Sequence, residues 1–124
     1  MENKYIQRQT NEVREYPGKK LPVVFLVDVS YSMSNIMEVL KDKVVDFHKA
    51  MQEDVKTATT CQTAYVTFGA TTEIIEDFGI VKNKKAPIDE INANEDNTYI
   101  VDGIEKSLEI LDEQKKLLSV EEAE

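Results

Sequence analysis

The chain has 124 residues, 41% hydrophobic and 31% charged, which fits one globular domain with a modest core. Its 24 acidic and 15 basic residues give a formal net charge of −9, which argues against nonspecific nucleic-acid binding, because phosphate contacts need Lys and Arg. The single Cys61 cannot close an intrachain disulfide, residues 1–20 carry no apolar signal core, and the apolar stretch Val23–Val27 is far too short to cross a bilayer, so a cytoplasmic protein is expected.

Residues 1–20 form a leader that ends in the turn signal Tyr16-Pro17-Gly18-Lys19-Lys20, with room for a short amphipathic piece over Tyr5–Val13. Leu21 to Val27 is a continuous apolar, β-branched run, the pattern of a strand covered on both faces. From Asn35 the period changes: Ile36, Val39, Leu40, Val44, Phe47 and Met51 mark one face of a helix ending near Glu53, with Ser34 or Asn35 as its cap. Val55–Thr60 reads as a connection. Cys61–Phe68 reads as a second strand, and Thr71–Phe78 as a third, antiparallel to the second through the short Gly69-Ala70 link. Lys82–Lys85 is a basic, exposed turn, Pro87–Ile91 a loop or short helix, and Asn92–Thr98 a polar loop. The last helix runs from Tyr99 or Asp102 to Leu118, with Ile104, Leu108, Leu111 and Leu118 on one face, and an acidic tail closes the chain over residues 119–124. The fold class is α/β: an open, mainly parallel sheet flanked by helices.

Ligands of open α/β sheets sit where loops leave the carboxyl ends of the strands. Asp28 stands at that end of the first strand, with Ser30 and Ser32 at alternate positions beyond it. One carboxylate and two hydroxyls are hard oxygen donors, suited to Mg²⁺, Mn²⁺ or Ca²⁺ and not to zinc. The same residues also suit a turn or a helix cap. Asp-x-Ser-x-Ser after an apolar strand resembles the first part of the metal-ion-dependent adhesion site of von Willebrand factor A domains. The resemblance rests on LPVVFLVDVSYSMS (residues 21–34), AYVTFG (64–69) and the stretch 98–118, and the latter two look like the bacterial tellurite-resistance-type branch.

The resemblance implies a metal-dependent protein-interaction module in bacterial stress or tellurite resistance, taking a carboxylate from a protein partner. It implies that Thr98 joins Asp28, Ser30 and Ser32 as a metal donor. The family usually places Gly before this Thr and Pro after it; here Asn97 and Tyr99 stand there. The family's further Asp, at the end of a fourth strand, has no counterpart before Glu124, and Asp102-Gly103 lies inside the expected last helix. A domain of this kind spans residues 21–118 and is shortened at its C-terminal side. The edge of strand 23–27 is then open, and self-association or a partner chain is expected to cover it.

Thr98 equally suits the cap of the last helix. His48 is expected at the surface or boundary, Cys61 as a small buried hydrophobe, and Tyr31 as a loop residue beside the site. The competing function is a metal-dependent phosphatase with Asp28 as nucleophile. An Asp ending a strand resembles the nucleophile of haloacid-dehalogenase-type phosphatases, and that resemblance would imply a second Asp two residues on, where this chain has Ser30. The third reading is a structural subunit that has lost metal binding.

Overall fold

The computed structural model describes residues 18–123, with side chains through Ser119; the piece expected over Tyr5–Val13 lies outside the described residues. The chain turns at Gly18, whose φ of 107° is one that favours glycine. The ammonium of Lys20 closes this turn by donating to Gly18 O at 2.9 Å.

Three strands form one sheet in the order β1 (Leu21–Asp28), β2 (Cys61–Phe68), β3 (Thr72–Ile80). β1 and β2 run parallel, with Leu21 beside Cys61 and Asp28 beside Phe68. β2 and β3 run antiparallel, as the short Gly69-Ala70 link requires, with register shifts around Tyr65. β2 is central, and all eight of its residues are buried.

The alternation of β1 divides the core. Val23, Phe25 and Val27 face α1 (Met37–Glu53) and α2 (Val55–Thr60), in clusters with Met37, Met51, Ala58 and Val81. Val24 and Leu26 face α3 (Ile100–Ala123), with Ala64, Val66, Phe78 and Ile110. Gly103 lets α3 approach the sheet: a Cβ there would lie 2.9 Å from Phe68 Cβ and 3.1 Å from Leu26 Cδ1.

Several expectations are corrected. α1 begins at Met37, flanked by Ile36 with no side-chain cap, because the Ser34 hydroxyl instead donates to Tyr31 O. Val55–Thr60 is a helix, since Asp54 caps it by accepting the Thr57 amide at 2.9 Å. β3 runs two residues further than expected, to Ile80. α3 runs on to Ala123 and buries Gly103, Ser107, Ile110, Gln114 and Leu118, so Ile104 and Leu108 lie exposed. The buried Gln114 is held by donating to Gln62 Oε1 at 2.8 Å, so a polar pair takes a place where an apolar stripe was expected.

His48 is buried rather than peripheral. Its Nε2 lies 3.0 Å from Lys84 O, a group that only accepts, so Nε2 carries the proton. In the neutral ring Nδ1 then accepts from the Tyr65 hydroxyl at 3.1 Å. Burial pushes the Tyr65 phenol far above its ordinary range, and Glu76 adds to the push. Lys84 also departs from the exposed basic turn: its ammonium pairs with Glu76 at 2.7 Å and donates to the carbonyls of Thr63 and Asp77.

Candidate functional site

Parallel pairing carries one residue beyond β1. Val29 N–H donates to Phe68 O at 2.9 Å, which fixes the direction in which the chain leaves the sheet. Asp28 then folds the next residue back on itself: its Oδ1 accepts the Ser30 amide at 2.9 Å. A single 3₁₀ turn, Tyr31–Met33, follows. Ser30 precedes that turn without a side-chain cap bond, and its hydroxyl instead meets the Ser32 hydroxyl at 2.9 Å. The backbone thus brings Asp28, Ser30 and Ser32 together without committing either hydroxyl to secondary structure. Ser30 is buried, Asp28 half-buried, and Ser32 exposed, so the group opens to water on one side.

The polar loop over residues 92–98 lies against this turn. Glu95 bridges to Ser30 in a parallel sense: its N–H donates to Val29 O at 3.1 Å, and its carbonyl accepts Tyr31 N–H at 2.7 Å. The Glu95 carboxylate accepts from the Thr71 amide and hydroxyl at 3.3 and 2.9 Å. Tyr99 N–H donates to Gly69 O at 3.0 Å, and Gly103 N–H reaches Tyr99 O at 3.3 Å. Tyr99, not Thr98, therefore flanks the start of α3. Thr98 is exposed, one residue from the anchor on Gly69, which itself follows the Phe68 that pairs with Asp28. The structure joins three of the four expected donors by hydrogen bonds and reaches Thr98 through its neighbours. Asp102 lies inside α3, as expected.

Sequence reasoning missed Glu95 and the reason for Gly69. A Cβ on Gly69 would sit 2.4 Å from Glu95 Cβ, so the close approach of the loop requires glycine there. The sequence signal was a glycine directly after a buried strand.

Among the described residues, no cluster of three or more His, Cys, Asp or Glu side chains is arranged to hold a metal. The candidate donors are one carboxylate and three hydroxyls. Two clefts of about 680 Å³ each line α3 near Leu21 and α1 near Lys84, away from Asp28. A polar cleft of about 170 Å³ adjoins the turn, lined by Glu73, Glu90 and Glu95 among others.

A family model for the von Willebrand factor type A domain matches residues 23–120. This chain belongs to that family. The strand that ends in Asp28, the Ser30–Ser32 turn and the loop docked on it all lie within the match. No curated protein matches the sequence. Among solved structures, the chain is similar to an uncharacterized membrane-spanning protein from Vibrio fischeri, with a TM-score of 0.61 and 18% identity. The match covers 76% of this chain and 50% of the other, so the likeness is one of fold, and this chain spans about half of that protein's length. Among the described residues no helix is long and apolar enough to cross a membrane. Domains of this family commonly mediate protein–protein interaction, and some do so through a metal ion.

Proposed function

We propose that this chain is a divalent-cation-dependent protein-interaction module of the cytoplasm, without enzymatic activity, in which Asp28, Ser30, Ser32 and Thr98 supply the protein's oxygens to Mg²⁺. The observation that carries this reading is the 2.9 Å separation of the Ser30 and Ser32 hydroxyls. Neighbouring ligands of an octahedral ion with Mg–O near 2.05 Å are separated by about √2 times that length, roughly 2.9 Å. The donor set fits an ion that keeps several waters: one carboxylate leaves half of the charge to be balanced from outside. Asp28 anchors the site and orients the Ser30 amide. Ser30 and Ser32 present adjacent lone pairs. Bound Mg²⁺, or Mn²⁺ or Ca²⁺ in its place, supplies positive charge with coordination positions open to a partner's Asp or Glu. Tyr31, 59% exposed beside the serines, offers the partner an aromatic contact. By resemblance to the tellurite-resistance-type branch, the setting is bacterial stress or tellurite resistance.

Calorimetric titration with Mg²⁺ and Mn²⁺ tests the reading. Saturable heat that disappears in Asp28→Ala is expected. Flat traces from both proteins would reduce the chain to a structural subunit. Turnover of a generic aryl phosphate, abolished by Asp28→Asn, would replace the binding role by a phosphatase.

A further inference from the structure

Lysines gather around one cleft of a chain whose net charge is −9. The cleft, of about 680 Å³, lies between the second half of α1 and the segment that follows β3. Lys49, Lys82, Lys84 and Lys85 line it, and Asp89 is the one acid among the described residues that do. Lys84 is neutralised by Glu76 of β3 at 2.7 Å. Lys49, Lys82 and Lys85 are exposed, and neither Lys49 nor Lys85 makes an ion pair among the described residues. The turn that carries Lys82 and Lys85 is fixed from beneath. Gln52 Nε2 donates to Val81 O at 2.9 Å and to Lys84 O at 2.7 Å, and the buried His48 donates to Lys84 O at 3.0 Å. The Lys84 ammonium reaches under the turn to the carbonyls of Thr63 and Asp77. An incoming group therefore meets cations held on an ordered backbone, and that order need not be supplied on binding. Val45, Ala86 and Ile88, each half-buried, give the cleft an apolar wall.

We propose that this cleft docks a short acidic peptide segment of a partner protein, with Asp or Glu carboxylates against Lys49 and Lys85 and one aliphatic side chain against Val45 and Ile88. Charge complementarity names the occupant: a locally positive cleft on an acidic protein selects a negative segment short enough to meet the lysines alone. A long polyanion would also meet the −9 charge of the rest of the chain and be repelled. No Phe, Tyr or Trp among the described residues lines the cleft, so a nucleobase finds nothing to stack on. Residues 1–17 contain as many basic as acidic residues and offer the cleft no net charge complement. The docking uses no metal and none of the Asp28, Ser30, Ser32 and Thr98 oxygens.

Fluorescence anisotropy of a fluorescein-labelled Glu-Glu-Leu-Glu-Glu peptide, titrated with the full chain in EDTA, tests this independently of the ion site. Saturable binding is expected, and it is expected to be unchanged in Asp28→Ala. Lys49→Glu and Lys85→Glu change exposed side chains, so thermal melting by circular dichroism is expected to be kept. Each is expected to weaken binding about threefold to tenfold by reversing one charge at the rim. Raising the salt from about 0.05 to 0.5 M is expected to weaken it by a similar factor, and the uncharged Gln-Gln-Leu-Gln-Gln peptide is expected not to bind. No saturation at protein concentrations up to about 1 mM overturns the proposal, including where residues 1–17 cover the cleft. So does binding that survives the two substitutions together, or binding lost in an Asp28→Ala chain that keeps its melting temperature. Displacement of the peptide by ADP at a lower concentration than by unlabelled peptide overturns it as well, in favour of a nucleotide.

Discussion

Gly69→Ala couples packing to the site. The new Cβ would lie 2.4 Å from Glu95 Cβ and 2.6 Å from Glu95 Cγ, against an ordinary carbon–carbon contact of about 3.5–4.0 Å. The loop must therefore retreat by roughly 1 Å or more. Two responses compete. Forcing the methyl into place costs about 1–3 kcal/mol of overpacking. Releasing the loop gives up the Glu95 N–H to Val29 O, Tyr31 N–H to Glu95 O and Tyr99 N–H to Gly69 O bonds, at about 0.5–1.5 kcal/mol each. The strain route is the cheaper or equal one, so a loss of about 1–3 kcal/mol is expected. For a chain of this size that lowers the melting temperature by about 5–15 °C. Because the same loop holds Val29 and Tyr31, ion affinity is expected to fall with it. The double variant Gly69→Ala/Glu95→Gly removes the Cβ that is struck and is expected to recover much of the loss relative to Glu95→Gly alone, which a double-mutant cycle measures. A Gly69→Ala melting temperature within about 1 °C of wild type would refute the close approach.

Other outcomes follow from single side chains. The Thr63 hydroxyl is fully buried with no hydrogen-bond partner among the described residues. Thr63→Val is expected to raise stability by about 1–2 kcal/mol in urea melts by removing an unsatisfied polar group. Gly103→Ala gains about 1 kcal/mol of helix propensity, but its methyl would meet Phe68 Cβ at 2.9 Å. A net loss is therefore expected, and a gain would show that α3 shifts freely. Tyr65 holds its proton to higher pH folded than unfolded. The unfolded chain then binds fewer protons from about pH 10 upward, and stability falls as pH rises through that window. Burial raises the Cys61 thiol in the same sense, with Asp54 adding to it, so the decline is expected to begin near pH 8.5. Tyr65→Phe is expected to give up about 1 kcal/mol at neutral pH with the His48 bond, and to flatten the part of the decline above pH 10.

The strands were legible because Leu21–Val27 and Cys61–Phe68 are short apolar runs with clear ends, and Gly69-Ala70 leaves room only for a tight reversal. The donor turn was legible for the same reason: Asp28 marks where the apolar run stops. Helix faces were less so. Leu108 and Ile104 read as core because apolar residues at helical spacing are usually buried, yet this sheet has no strand beneath them among the described residues. His48 was misread in the opposite sense, and the Gln62–Gln114 pair was not foreseen, because a buried polar residue is stable only with its partner, and those partners lie 17 and 52 residues apart in sequence. Asp54 has the Asp-x-x-Thr spacing of a cap, but a helix of six residues leaves no periodicity to notice. Thr98 is placed by position and not by a bond, as Asn97 and Tyr99 in place of the usual neighbours foreshadow.

The ion site is tested most directly by adding Mn²⁺ to the isotopically labelled protein and following which amide resonances broaden. The account predicts broadening centred on Asp28, Ser30, Tyr31, Ser32 and Thr98, lost in Asp28→Ala and reversed by EDTA. Broadening centred instead on Glu73, Glu90 and Glu95 in the neighbouring polar cleft, unchanged by Asp28→Ala, would contradict it.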